Sequence, residues 1–431
     1  MLDIRFIRDN AKRVQEAAGQ KGYKVDIAAL LKLDDERRGL LGKAETLRRE
    51  RNELSASLKQ GKPAPEQIDR GKQLKAELAE LDERLRPIEE QYMTALKAVP
   101  NMPADDVPVG ASEDDNVVAK TVGDKPTFDF VPKSHWQLGE AKGWIDKERA
   151  AKVAGARFAY LKGDLVRLHM ALIQFALDRL MDERVIKEIA NQNHLEVSTR
   201  PFTPILPPLL IRTEMYDAMD RLEPRDDRYK IEGEELWLQG SAEHVLGSMH
   251  AEEIFDETQL PIRYVGYATS FRKEAGTYGK DMEGIIRMHQ FDKLEMESLT
   301  TAETSYGEHL LLIAIQEYLM QQLGLPYRVL NKCTYDIGKP NARGVDIEVW
   351  FPSQDKYRET HTADYMTDYQ ARRLQTRVRR ADGEVELVHT NDATALSQRP
   401  LIAILENFQQ ADGSILVPEV LRPYLGGRHT I

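Results

Sequence analysis

The chain has 431 residues, 30% charged and 41% hydrophobic, which is enough for two domains or for one large catalytic domain with an appendage. A lone cysteine, Cys333, excludes an internal disulfide and a multi-cysteine zinc site. The absence of any run of about 18 apolar residues, and of an apolar core in the opening MLDIRFIRDNAKRV, predicts a cytoplasmic, reducing setting without membrane contact. The net charge of −11 argues against non-specific coating of nucleic acid, but leaves room for a local basic surface.

Composition changes near residue 100. Leu33, Leu40, Leu47 and Leu54 recur every seven residues, and Leu30, Ala44 and Leu58 fill alternate seam positions. Arg37 and Arg51 interrupt this coiled-coil seam. After Gln60-Gly61-Lys62-Pro63-Ala64-Pro65, a second run carries Ile68, Leu74, Leu78, Leu81, Leu85, Ile88, Tyr92 and Ala95. Two helices joined by a short Gly/Pro turn predict an antiparallel hairpin over about 28–98, each limb about 45 Å long. Pro87 is expected to bend or end the second limb. Residues 28–98 hold 15 basic and 14 acidic side chains, so the hairpin is the relatively basic part. Charge alone favours a solvated spacer or dimerisation arm over a nucleic-acid contact.

Residues 99–125 are rich in Pro, Asp and Gly and read as a linker with little core. An amphipathic helix is expected over Asp164–Asn191, then a Pro-rich strand region, PFTPILPPLLI. Strands are expected at 262–274, 285–297, 327–333, 344–351 and 385–390, and a last helix over Leu401–Gln409. The predicted fold is α+β: a largely antiparallel sheet flanked by helices, with the hairpin as an N-terminal arm.

The stretch 262–297 reads strand, polar loop, strand. Period two puts Arg272 and Glu274 on one face, and Arg287, His289, Phe291, Lys293 and Glu295 together. Such a face is a poor core. It suits a charged planar ligand, with Arg for phosphate, Phe for stacking and Glu for an amine, though charge pattern alone favours a solvated face of cross-strand ion pairs.

Phe271-Arg272-x-Glu274-Ala275-Gly276, followed by Arg287-x-His289-Gln290-Phe291-x-Lys293-x-Glu295, resembles motif 2 of class II aminoacyl-tRNA synthetases in the form found in seryl-tRNA synthetases of bacterial type. Ser241-Ala242-Glu243 resembles the Thr-Ala-Glu serine-binding segment of that family, and Tyr357-Arg358-Glu359 its Tyr-Arg-Glu element. Arg399, with Leu405–Ser414 and Val417–Tyr424, resembles motif 3 and its continuation; Pro207 or Pro208 would be the motif 1 proline. The resemblance spans nearly the whole chain in order. It implies residues 1–110 as a tRNA-binding domain, 111–431 as the catalytic domain, and a homodimer.

The implied activity is serine–tRNA ligation: L-serine and ATP give seryl-adenylate, and the seryl group passes to tRNA(Ser), with tRNA(Sec) as a second acceptor. Arg272 and Arg399 take the catalytic phosphate roles. ATP is implied to meet Arg272, Lys273, Glu274, Met288, Phe291, Glu359, Thr360, His361, Thr362 and Arg399. Serine is implied to meet Ser241, Ala242, Glu243 and Glu295, with Thr394 or, second, Asn391 at its hydroxyl. Mg²⁺ would sit on Glu359 and Thr362. The chain departs from the family pattern in Ser241 for Thr, in Glu359-Thr360-His361-Thr362 for Glu-Ile-Ser-Ser, and in Asn391-Asp392-Ala393-Thr394, where Asn-Gly-Ser is common. His361 has no second histidine at zinc-site spacing and reads as structural, as does His289. Two rival readings are an amino acid:carrier-protein ligase, which would not need the arm, and an inactive coiled-coil paralogue. The retained Arg272, Glu274, Glu359 and Arg399 argue against the second.

Overall fold

The computed structural model describes residues 1–57, 64–274 and 284–431. Leu58, the turn residues 60–63, and Ala275 and Gly276 of the motif 2 string lie outside the described residues. The chain divides into two compact units, Met1–Met102 and Pro103–Ile431.

In the first unit, helices Ile4–Asp9 and Ala11–Gln20 precede two long helices, Ile27–Ser57 and Pro65–Ala98. The Asp26 carboxylate accepts from the Ala29 amide and so caps the first long helix. Pro65 stands at the start of the second, where its missing N–H costs nothing. Leu30, Leu40 and Ala44 are buried against Leu74, Leu78, Leu85 and Tyr92 as the heptads require, whereas Leu33, Leu47 and Leu54 are half-buried. The limbs run antiparallel, with Arg48 3.1 Å from Asp82 and Arg70 2.7 Å from Glu50. Arg37 does not break the seam. Its guanidinium lies 4.4 Å from the Tyr92 ring centre and 3.3 Å from the buried Asp34 carboxylate. Pro87 does not end its helix: it is exposed, so the carbonyl it leaves unbonded faces water.

The second unit is built on an eight-stranded sheet, in the order Val117–Val122, Tyr327–Asn331, Arg343–Phe351, Lys356–Thr367, His389–Ser397, Gln290–Thr300, Ile262–Phe271 and Thr203–Ile205. Every pairing is antiparallel except the last. Helices Asp164–Leu180, Ala302–Leu323 and Gln398–Asn407 bury one face in the main core, where Met296, Ala393 and Leu396 meet Leu311, Ile315 and Leu401. The opposite face carries the polar residues.

Several expected elements differ. The 99–125 segment is more than a linker, because Val117–Val122 pairs onto the sheet edge. Its side chains are mostly exposed, so no apolar alternation marks it. Helix 164–191 is two helices, interrupted before Glu183 where Asp182 caps the second through the Arg184 amide. The 285–297 strand begins only at Gln290. Helix Ala302–Leu323 escapes periodicity because it is buried nearly all round, polar residues such as Glu308, His309 and Gln316 included. Strand Lys356–Thr367 escapes because one face is charged. Among the described residues no helix is long and apolar enough to cross a membrane.

Candidate active site

On the face away from the helices, cross-strand partners set the layout. Phe291 stands opposite Ser270, Lys293 opposite Ala268 and Glu295 opposite Gly266; on the other side Ser397 faces Lys293, Thr394 faces Glu295 and Asp392 faces Glu297. Small residues on Ile262–Phe271 leave room for the short helix Glu243–Gly247. A Cβ at Gly266 would lie 2.7 Å from Leu246 Cδ1, so any larger residue would push on that helix and on the Glu243 carboxylate it delivers.

These groups enclose a cavity of about 310 Å³. Phe291 and Glu295 lie four residues apart on one strand, about 13 Å along the face. Near Phe291 the cavity is cationic and partly open. The Arg272 guanidinium lies 5.5 Å from the Phe291 ring centre, and its Nε donates to the Gly240 carbonyl at 3.0 Å. Arg399 reaches the Glu359 carbonyl at 2.6 Å and its carboxylate at 3.3 Å. Burial opposes ionisation of Glu359, but Arg399, Lys332 and Arg272 outweigh it and hold this half-exposed carboxyl below its usual range. Glu274 adopts φ +54°, a left-handed conformation, and its carboxylate meets Arg287 at 2.5 Å.

Toward Glu295 the cavity becomes buried and acidic. Glu243, Glu295 and Asp392 each bring an oxygen within 4.8 Å of the others. Lys293 pairs with Glu295 and donates to Ser241 Oγ at 3.2 Å. Arg221 Nε lies 3.0 Å from Glu243 Oε1, and its terminal nitrogen 3.5 Å from Asp392 and 3.6 Å from Asp364. Burial, then the Glu243 charge, raises Glu295 to about 7 despite Lys293. Burial also raises Asp392 and Glu297 well above ordinary carboxyls, whereas Arg221 and His244 overcome burial at Glu243 and hold it low.

The comparisons with known proteins follow the two units. Residues 1–103 match the seryl-tRNA synthetase N-terminal domain, and 228–408 match the tRNA synthetase class II core domain (G, H, P, S and T). The serine–tRNA ligase of Syntrophotalea carbinolica is 41% identical over 433 residues, 99% of each chain, and that of Exiguobacterium sibiricum 42% identical over 439 residues, 100% of each.

The chain belongs to the seryl-tRNA synthetase family.

Solved members agree. The seryl-tRNA synthetase of Pyrococcus horikoshii, crystallised with ATP, superposes with a TM-score of 0.88 at 37% identity over 100% of this chain and 99% of that one. The Naegleria fowleri cytoplasmic serine–tRNA ligase, in complex with AMP, gives 0.84 at 29% identity over 100% and 98%. As a family member the chain is a class II aminoacyl-tRNA synthetase, a ligase of the serine type.

Of the residues that the synthetase motifs single out, Arg272, Glu274, Met288, Phe291, Glu359, Thr360, Thr362, Arg399, Glu243, Glu295 and Thr394 line the cavity. The others do not line it. Ser241 is buried behind Glu295, to which its hydroxyl donates at 3.1 Å. Ala242 packs on Leu246 and Ala268. Lys273 has its ammonium 5.5 Å from the Tyr229 ring centre. The His361 ring is buried, meets Thr360 Oγ1 at 2.7 Å and is kept neutral by burial. Asn391 points to Ser305 on the helix-covered face, donating to its hydroxyl at 3.3 Å.

Motif reading missed Arg221, Asp364 and Asp392. Arg221 follows the helix Thr213–Ala218, in no string that carries the resemblance. Asp392 stands inside a quoted string without a role assigned to it, Asp364 lies two residues beyond another, and their cross-strand pairing is the signal that sequence spacing lacks.

Proposed function

We propose that the chain activates L-serine with ATP and transfers the seryl group to tRNA(Ser). The observation that carries this reading is one cavity holding two chemistries. An arginine pair flanks an aromatic plate at the open part, and buried carboxylates gather at the inner part. Adenylate formation brings two anions together and neutralises them; it needs no protein nucleophile.

Adenine stacks on Phe291, its edge meeting Glu274 and Met288, while Arg272 and Arg399 hold the phosphates. The serine ammonium lies among Glu243 and Glu295, and its hydroxyl meets Glu295 and Thr394. Arg272 neutralises both the carboxylate and the α-phosphate as a carboxylate oxygen attacks phosphorus. The bond to the β-phosphate breaks and pyrophosphate leaves. A ribose hydroxyl of tRNA then attacks the seryl carbonyl, and AMP leaves. Alanine is rejected because it would leave the hydroxyl's buried polar partners unpaired.

Mg²⁺ is proposed at Glu359 and Thr362. The donors are hard oxygens, and the Thr362 hydroxyl is held by the Asp346 carboxylate at 2.8 Å and lies 3.5 Å from Glu359. When bound, the ion would neutralise phosphate charge. We also propose residues 1–110 as the tRNA-binding domain, residues 111–431 as the catalytic domain, a homodimer, action in the cytoplasm, and tRNA(Sec) as a second acceptor.

The test is pyrophosphate exchange into ATP with each amino acid in turn, then aminoacylation of total tRNA. Serine alone is expected to support both. Exchange without transfer to tRNA would favour a carrier ligase, and no exchange an inactive paralogue.

A further inference from the structure

The inner part of the cavity gathers more carboxyl groups than its own cations and one serine ammonium can match. Glu243, Glu295, Asp364 and Asp392 line it. Glu297 stands directly across from Asp392, on the face that carries Lys293 and Glu295, and is fully buried. Arg221 and Lys293 oppose these five carboxyl groups, together with Lys332, which acts on Asp364 while shared with Asp346. Serine adds one ammonium, while its carboxylate is drawn to Arg272. A second observation is independent of the count. Among the described residues neither Glu297 oxygen has a hydrogen-bond partner, nor has Asp392 Oδ2, although it lies within ion-pair range of Arg221. Buried polar groups are ordinarily satisfied, so these oxygens await a donor.

Building on the reading of this pocket as the amino-acid site, we infer that Asp392, backed by Glu297, is a specificity-determining floor that accepts a second positive charge, so that L-2,3-diaminopropionate is also activated. This amino acid has the size of serine and an ammonium in place of the hydroxyl. Its carboxylate oxygen attacks the α-phosphorus of ATP, the bond to the β-phosphate breaks, and pyrophosphate leaves. The side-chain ammonium keeps its protons and takes no part in bond making. Burial and the neighbouring carboxylates raise the proton affinity of Asp392 and Glu297, and a cation beside them would relieve that repulsion.

The test is pyrophosphate exchange by the full chain with serine, L-2,3-diaminopropionate or alanine, in wild type, Asp392→Asn and Glu297→Gln. Diaminopropionate is expected to support exchange and alanine not. The ratio of kcat/KM for diaminopropionate to that for serine should fall at least tenfold in Asp392→Asn and several-fold in Glu297→Gln. The ratio is read within each variant, so it reports specificity and not the amount of folded enzyme. Normal serine exchange with neither activation of nor competition by diaminopropionate overturns this inference alone, as does an unchanged ratio in Asp392→Asn. Failure of serine exchange in wild type overturns the proposed function and this inference together. Titration with Mn²⁺ alone, without nucleotide, covers the other occupant: stoichiometric binding lost in Asp392→Asn would make the floor a metal site and overturn the inference.

Discussion

Glu295 shows how a single side chain can couple substrate, proton and stability. It is 1% exposed and faces Lys293 on its own strand, Glu243 and Ser241 from the adjoining segment, and Thr394 across the sheet, with Glu297 two residues along. Its carboxyl is raised from near 4.5 to about 7. Serine's ammonium needs the ionised form, so kcat/KM for serine should rise across pH 6–8 and the Glu295→Gln variant should lose that limb; an unchanged pH profile would remove Glu295 from the pocket. The folded state also holds this proton more tightly than the unfolded chain. Its contribution to stability is therefore present below about 4.5 and is lost as pH rises through about 7. Wild type should lose more melting temperature than Glu295→Gln between pH 6.5 and 8.5, measured without ligands.

Arg272 makes a second residue-scale case. Its Nε is spent on the Gly240 carbonyl, which aims the remaining guanidinium nitrogens at the cavity. Arg272→Ala should keep the fold and lower serine-dependent pyrophosphate exchange on the order of 10²–10³-fold, the scale of losing one preorganised donor to a developing charge. Exchange near the wild-type rate would contradict the phosphate role.

Elements decide which residues meet. Strict alternation would put Glu359 and His361 on one face and Thr362 on the other. The pairing with Arg343–Phe351 shifts between Ile347 and Glu348, leaving Thr360 as the extra residue of a bulge. Glu359 and Thr362 therefore both reach the cavity, and His361 turns away. A second shift between Thr394 and Leu396 returns Ser397 to the face of Asp392 and Thr394. Gly266 is the other element-scale constraint. Gly266→Ala would drive a methyl group against Leu246, an overpacking cost of about 1–3 kcal/mol. Because the displaced helix carries Glu243, KM for serine should rise about tenfold while KM for ATP changes little. Equal rises in steady-state measurements would show that the helix does not position the serine end.

At the scale of the whole molecule, the first unit has its own core. Leu2, Ile7, Val14, Ala17 and Ile27 are buried near the base of the hairpin, whereas the distal part of the arm is held by the Arg48–Asp82 and Arg70–Glu50 ion pairs. Replacing residues 48–79 by a short Gly/Ser linker removes the distal half and spares that base. Serine-dependent exchange should persist, because every cavity residue lies beyond 220. Transfer to tRNA should fall by orders of magnitude, and the salt dependence of tRNA binding should become shallower. Near-normal charging of tRNA by the truncated protein would reduce the arm to a spacer.

The heptad arm, the α+β class and, through long ordered motifs, the family are legible in the residues alone, because these depend on local periodicity and on residue strings that survive without a partner in space. So is most of the cavity lining. The rest follows from contacts made on folding. Thr394 rather than Asn391 faces the cavity because alternation is counted from the pairing with Gln290–Thr300, a strand about a hundred residues away. Arg221, Asp364 and Asp392 join the site through cross-strand and helix-to-sheet neighbours that no spacing encodes. Helix Ala302–Leu323 and strand Lys356–Thr367 stayed hidden for opposite reasons: one is buried nearly all round, and the other is polar where it serves the cavity. Hydrophobic pattern reports burial, and at a polar site the residues with the strongest chemistry are buried against that pattern, with charge matched only by what folding brings beside them.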